Sequence, residues 1–199
     1  MSRGGHQTTL PSDGRPLGKS PKMEAGNWTG GCQCGAVRYA RLETPSNACI
    51  CHCRMCQKQI GRVCGAFADV QPSCFRITRG VPGWFQSSDE AMRGFCGNCG
   101  TPLFYKFMST QRIAVSIGSL DRHSEVKPQT QYGIEAREPW FSELPFLPQT
   151  ETGEGDNGVG DTPERFERIR LSSRQPPDHD TTEWPPQSAG PSPQSQGRP

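Results

Sequence analysis

This chain is short of large apolar residues. Its hydrophobic fraction is 32% over 199 residues, too little for one core running the whole length. No apolar run approaches a bilayer-crossing helix. The N-terminus lacks the apolar stretch of a secretory signal, so a cytoplasmic location, where thiols stay reduced, is expected. Charge of one sign is also scarce. The net charge of +2 gives no electrostatic case for a nucleic-acid or membrane partner.

The apolar deficit is uneven. Residues 1–26 hold almost no large apolar side chain, and 149–199 are polar and rich in proline, glycine and serine. Neither stretch buries enough surface to offset the entropy of ordering. The expectation is a disordered tail over 1–26, a folded domain over 27–148 and a disordered tail over 149–199. Within the second tail, Pro163–Leu171 reads as a short charged helix, with Phe166 and Ile169 on one side, that frays rather than docks. A folded part this small benefits from cross-links.

Short alternating runs punctuated by glycine and proline predict an all-β (mainly β) domain. The expected strands are 35–41, 66–70, 75–78, 84–87, 91–95, 103–107, 112–117 and, more weakly, 131–136. One short helix is expected over 54–60, stopped by Gly61.

What the chain has in abundance is clustered cysteine. Seven of its 10 cysteines fall in three groups: Cys32/Cys34, Cys51/Cys53/Cys56 and Cys96/Cys99. Neighbouring thiolates converge on a metal ion with little chain entropy left to lose. The first and last groups lie in glycine-rich turns beside strands and together supply four sulfurs, the number that closes a structural zinc site. Joining two such distant pairs costs about 3–4 kcal/mol of loop closure. Structural zinc returns on the order of 10–16 kcal/mol. Disulfides are the alternative, and CxC spacing suits them poorly.

The middle group supplies three sulfurs, with Cys51 and Cys53 on one side of extended backbone and Cys56 in the next turn. Three sulfurs leave a coordination position open for chemistry. Cys49 fits the same alternation and is the alternative fourth ligand, which would close the site. His52, between ligands, should point away from the ion. Two zinc ions per chain are expected. Cys64 and Cys74 stand alone and read as small buried hydrophobes.

The runs Gly31-Cys32-Gln33-Cys34-Gly35-Ala36-Val37-Arg38-Tyr39, Cys51-His52-Cys53-Arg54-Met55-Cys56, Phe95-Cys96-Gly97-Asn98-Cys99-Gly100-Thr101-Pro102-Leu103 and Ser116-Ile117-Gly118-Ser119-Leu120-Asp121 resemble the glutathione-dependent formaldehyde-activating enzyme family. That family also includes the centromere protein V group. The resemblance covers about residues 27–148. It implies coiled antiparallel sheets with zinc-binding hairpins, a structural zinc on Cys32, Cys34, Cys96 and Cys99, and a catalytic zinc on Cys51, Cys53 and Cys56. The implied activity is that of a carbon–sulfur lyase joining formaldehyde to glutathione. Two positions depart from the usual pattern. Gln131, nine residues before Trp140, stands where relatives often carry histidine. Gln57 stands where a basic residue often follows the third cysteine of the middle group.

Arg137, Lys106 and Arg112 are candidate partners for the carboxylates of a glutathione-like ligand. Asp121 reads as a turn cap, and Trp140 and Phe141 as a core-closing pair. Two functions follow: a zinc enzyme acting on a small-molecule thiol and an aldehyde, or a zinc-stabilised non-catalytic binding module. In the second, Pro176-Pro177 and Pro185-Pro186 would engage aromatic-lined grooves.

Overall fold

The computed structural model describes residues 28–110, 112–151, 162–182 and Trp184. The expectation for 1–26, and that for most of 149–199, falls outside these residues. The described strands are β1 (Trp28–Gly31), β2 (Arg38–Arg41), β3 (Ser46–Cys51), β4 (Gly65–Val70), β5 (Phe75–Arg79), β6 (Gly83–Ser88), β7 (Ala91–Phe95), β8 (Pro102–Phe107), β9 (Ile113–Ser116) and β10 (Thr130–Tyr132). Two helices, α1 (Arg54–Ile60) and α2 (Pro163–Leu171), and several short 3-10 turns complete them. The architecture is mainly β, as the alternation predicts.

Two open sheets form. The smaller has the order β1-β2-β5, and the larger β10-β3-β4-β9-β8-β7-β6. Every pairing is antiparallel except β10 with β3, which is parallel. Sequence reading missed β1 and β3, because Trp28-Thr29-Gly30-Gly31 is half glycine and β3 carries Asn47 and four small residues. The strand expected over 131–136 is shorter than predicted. Gly133 takes φ 65°, and a 3-10 turn at Ile134–Ala136 replaces the rest. Helix α1 matches its expected bounds and ends at Gly61, whose N–H donates to the Gln57 carbonyl at 2.8 Å.

The main core lies between the sheets. Trp28, Val37 and Tyr39 of the small sheet region meet Ala68, Val70, Leu103, Phe104 and Val115 of the large one. Phe104 is central, with Tyr39 at 5.2 Å and Phe75 at 5.4 Å between ring centroids, both edge-on. A smaller cluster of Cys56, Phe67 and Ala114 forms apart from this core. Side chains alternate along each strand, so β4 sends Ala68 and Val70 to the main core and Phe67 and Asp69 the other way. β9 likewise divides Val115 from Ala114.

One polar cluster is buried at the side of the small sheet. Arg38 donates through Nη1 and Nη2 to Asp121 at 2.9 and 2.5 Å, and through Nε to Asp180 at 2.8 Å. Thr29 Oγ1 also donates to Asp121, at 2.5 Å. Asp121 is thus an ion-pair partner rather than a simple turn cap.

Asp180 belongs to a C-terminal strap that contacts the domain. Arg79 donates to the Thr181 carbonyl, the Trp184 indole N–H donates to the Cys34 carbonyl at 2.7 Å, and Pro176 is buried. Pro176 therefore packs within the molecule instead of standing free for a groove. Pro185-Pro186 lie outside the described residues. Helix α2, which precedes the strap, has no buried residue.

Removing one partner of a buried ion pair strands the other charge. Asp121→Ala is expected to lower unfolding stability by on the order of 3 kcal/mol, measured by urea denaturation, and Asp121→Asn by less. Equal stability of Asp121→Ala and the native chain would contradict the role given to this pair.

Candidate metal centres

Two turns of the same design carry the four-cysteine set. One joins β1 to β2 and the other β7 to β8. In each, the first cysteine N–H donates to the carbonyl five residues on, Cys32 to Val37 and Cys96 to Thr101, both at 3.0 Å. In each, a glycine with positive φ, Gly35 at 74° and Gly100 at 76°, turns the chain back. The sulfurs of Cys32, Cys34, Cys96 and Cys99 lie within 4.8 Å of one another. Cys32 to Cys34 is 3.6 Å and Cys34 to Cys96 is 3.8 Å. A tetrahedron with zinc–sulfur bonds of about 2.3 Å has sulfurs about 3.8 Å apart, so the set fits zinc.

Burial raises the Cys34 and Cys96 thiols, whereas the surroundings of Cys99 favour thiolate. The Val37 N–H donates to Cys32 Sγ at 3.2 Å. Thr101 Oγ1 accepts from the Gln33 N–H at 3.1 Å and sits 3.1 Å from Cys99 Sγ, tying the two turns together. Burial raises the Cys99 thiol, but the Thr101 hydroxyl and nearby N–H groups outweigh it and bring it down to about 6.

The three-cysteine set lies on the other face of the large sheet. Cys51 ends β3, Cys53 precedes α1, and Cys56 lies in the first turn of α1. Their sulfurs are also within 4.8 Å of one another, with Cys51 to Cys53 at 3.4 Å. This spacing fits one metal ion. Among the described residues no fourth histidine, cysteine or carboxylate joins the set. Cys49 lines the same cavity but stands outside the cluster.

That cavity is about 340 Å³. Its walls include a continuous cross-strand row, in which Asp69 pairs with Ala114, Ala114 with Tyr105, and Tyr105 with Arg93. Arg93 is buried. Its Nη1 donates to Cys56 Sγ at 3.4 Å, its Nε donates to Ser87 Oγ at 3.2 Å, and its guanidinium lies 4.2 Å from the centre of the Tyr105 ring. Burial raises the Cys56 thiol, and Arg93 opposes that rise. Burial also raises Cys53, but the Cys56 N–H, neighbouring thiols and Arg93 together bring it below its ordinary value. Cys51 is pushed up to about 12, chiefly by burial.

Sequence reading missed Arg93. The available signal was a cation on the expected strand 91–95 at the same parity as Ala91 and Phe95. Tyr105, Phe67 and Thr101 were also missed, since aromatic strand residues and a turn threonine carry no chemical signature by themselves.

His52 points away from the sulfurs, as its position between Cys51 and Cys53 predicts. It is fully buried, its Nε2 pairs with Gln131 Oε1 at 2.9 Å, and Phe141 packs edge-on against it at 4.6 Å. Trp140, by contrast, is 43% exposed, so the expected core-closing pair reduces to Phe141. Gln57 donates to the carbonyls of His52 and Ala136, both at 2.9 Å. Both family departures, Gln57 and Gln131, therefore support the chain around His52, outside the cavity walls. Of the three candidate cations, Arg112 lines the cavity, while Lys106 and Arg137 do not.

Metal affinity depends on thiolate, and Arg93 favours thiolate. Arg93→Met is expected to weaken cobalt binding at the three-cysteine site about 10–100-fold at pH 7, read by the thiolate-to-cobalt absorption band. The deficit should shrink as pH rises, because fewer protons then compete for the sulfurs. A pH-independent deficit would exclude the electrostatic account.

Comparison with known proteins identifies the family. The family model described as glutathione-dependent formaldehyde-activating enzyme matches residues 27–135. An uncharacterized lyase of Schizosaccharomyces pombe is 35% identical over 81 residues, covering 40% of this chain and 58% of that protein. The matched stretch thus spans little more than half of that relative. A crystal structure of a Rhodobacter sphaeroides protein aligns with a TM-score of 0.41 at 25% identity, covering 52% of this chain and 98% of that one. With its three cysteine groups inside the matched region, this chain belongs to the glutathione-dependent formaldehyde-activating enzyme family.

Proposed function

We propose that this protein is a zinc-dependent carbon–sulfur lyase that makes or breaks the carbon–sulfur bond of a thiol–aldehyde adduct of the S-hydroxymethylglutathione type. In this reading Cys32, Cys34, Cys96 and Cys99 hold a structural zinc. Cys51, Cys53 and Cys56 hold a catalytic zinc with one position open. The observation that carries the reading is the three-sulfur cluster in the wall of a 340 Å³ cavity with no fourth side-chain ligand among the described residues. The lyase name of the yeast relative and the family's name point the same way.

Zinc bound there would supply Lewis acidity and hold a substrate thiol in its thiolate form. The chain's own residues do the remaining work. Arg93 offsets the negative charge of the three sulfurs. Phe67, Tyr105 and Ala114 restrict water around the reacting atoms and hold the two reactants close. Burial raises the Tyr105 phenol, which keeps it protonated as a hydrogen-bond donor on the cavity wall. In the synthetic direction the thiol sulfur bonds to the aldehyde carbon as the carbonyl π bond opens. The carbonyl oxygen takes the proton that the thiol gives up. The lyase direction reverses both changes.

The test is exchange between formaldehyde, glutathione and their adduct, followed by NMR against buffer, because the uncatalysed reaction also proceeds. The native protein is expected to accelerate exchange and to carry about two zinc per chain. Cys53→Ser is expected to stay folded, retain about one zinc and lose the acceleration. No acceleration with any thiol or aldehyde would refute the enzyme. An unfolded Cys53→Ser protein would make the middle cluster structural.

A further inference from the structure

We infer that the cavity beside Cys51, Cys53 and Cys56 selects an uncharged, apolar thiol adduct and discriminates against the two carboxylates of glutathione. The inference rests on the thiol-adduct reading above and names its substrate class.

The walls are mainly apolar and aromatic, with Phe67, Tyr105, Phe107, Ala114, Met55 and Tyr132 among them. Such a surface gains by covering an apolar substituent, and its rings add edge and face contacts. Among the described lining residues the cations are Arg93 and Arg112, and both are engaged. Arg93 is buried and committed to Cys56, Ser87 and the Tyr105 ring. Arg112 forms an ion pair with Asp69 and lies 5.4 Å from the centre of the Phe107 ring. Asp69 is itself on the wall, is 13% exposed, and accepts a second bond from Asn47 at 2.9 Å.

An entering carboxylate meets Arg93, which is buried and engaged, or must compete with Asp69 for Arg112, whose side chain is 49% exposed. It loses water and gains at most a share of a cation already paired with Asp69, which is costly in a partly enclosed apolar site. The row Asp69–Ala114–Tyr105–Arg93 places these neutralised charges at the two ends of an aromatic wall. A thiol adduct with an apolar substituent meets no such penalty.

The test uses the zinc-loaded full chain and a related pair, glutathione and its diethyl ester, which share one thiol and one ammonium and differ in the two carboxylates. Benzyl mercaptan serves as the small, uncharged apolar probe. Binding is read from amide NMR shifts of Phe67, Tyr105 and Ala114, which do not depend on turnover. The ester and benzyl mercaptan are expected to saturate these shifts at concentrations at least tenfold below glutathione.

Asp69→Asn should release Arg112 and tighten glutathione several-fold, with little change for the ester. Equal or tighter binding of glutathione to the native protein would overturn the inference, as would an unchanged glutathione-to-ester ratio in Asp69→Asn. Exchange measured on the same samples separates the two readings. Tight glutathione binding with turnover removes the selectivity and leaves the lyase. Tight ester binding with no carbon–sulfur exchange by any of the thiols leaves the selectivity and removes the lyase. No shift with any probe removes both.

Discussion

The pleat of the seven-stranded sheet separates two chemistries. Alternate residues of β4 and β9, with Leu103 and Phe104 of β8, point toward the small sheet and join an aromatic and aliphatic core around Phe104. The intervening residues, Asp69, Ala114 and Tyr105, face the cavity beside the three cysteines. A slip of one residue in any of these strands would exchange core for cavity. The site therefore depends on register, and register depends on the packed face behind it. Arg93 shows the constraint most directly, because its cross-strand pairing with Tyr105 places a cation beside Cys56.

The two cysteine sets differ in how they are positioned. The four-cysteine set joins hairpin turns from different sheets, so it links β1 and β2 to β7 and β8. Thr101 bridges the two turns, and the C-terminal strap adds Trp184 on the Cys34 carbonyl. The three-cysteine set instead comes from one short stretch where a strand passes into a helix. Its support comes from behind, where buried His52 and Gln57 are bracketed by exposed Gln131 and half-buried Phe141. β10 completes that bracket by pairing with β3, and the His52 N–H donates to the Tyr132 carbonyl at 2.8 Å. Gly133 follows at positive φ, where an added Cβ would lie 2.7 Å from the Cys53 nitrogen.

Much of this was legible in the chain because the signals are local. Cysteine spacing identified both sulfur clusters, alternation identified most strands, and Gly61 marked the end of α1. The alternation that places Cys51 and Cys53 together also sends His52 away from them. β1 and β3 were not legible, because glycine, asparagine and small residues give no periodic apolar signal. Their strand character comes from partners distant in sequence. The second strap contact, between Asp180 and Arg38, was hidden for the same reason.

The sequence by itself determined which residues can ligate a metal and in what groups, since side-chain chemistry and short spacing need no tertiary context. Only the tertiary structure decided that Arg93 lies against Cys56, that Arg112 is already paired with Asp69, and that Gln131 braces His52 from behind. Those assignments depend on which strands become neighbours and in what register. Neighbour choice is a property of the whole packed sheet and of no single stretch of chain.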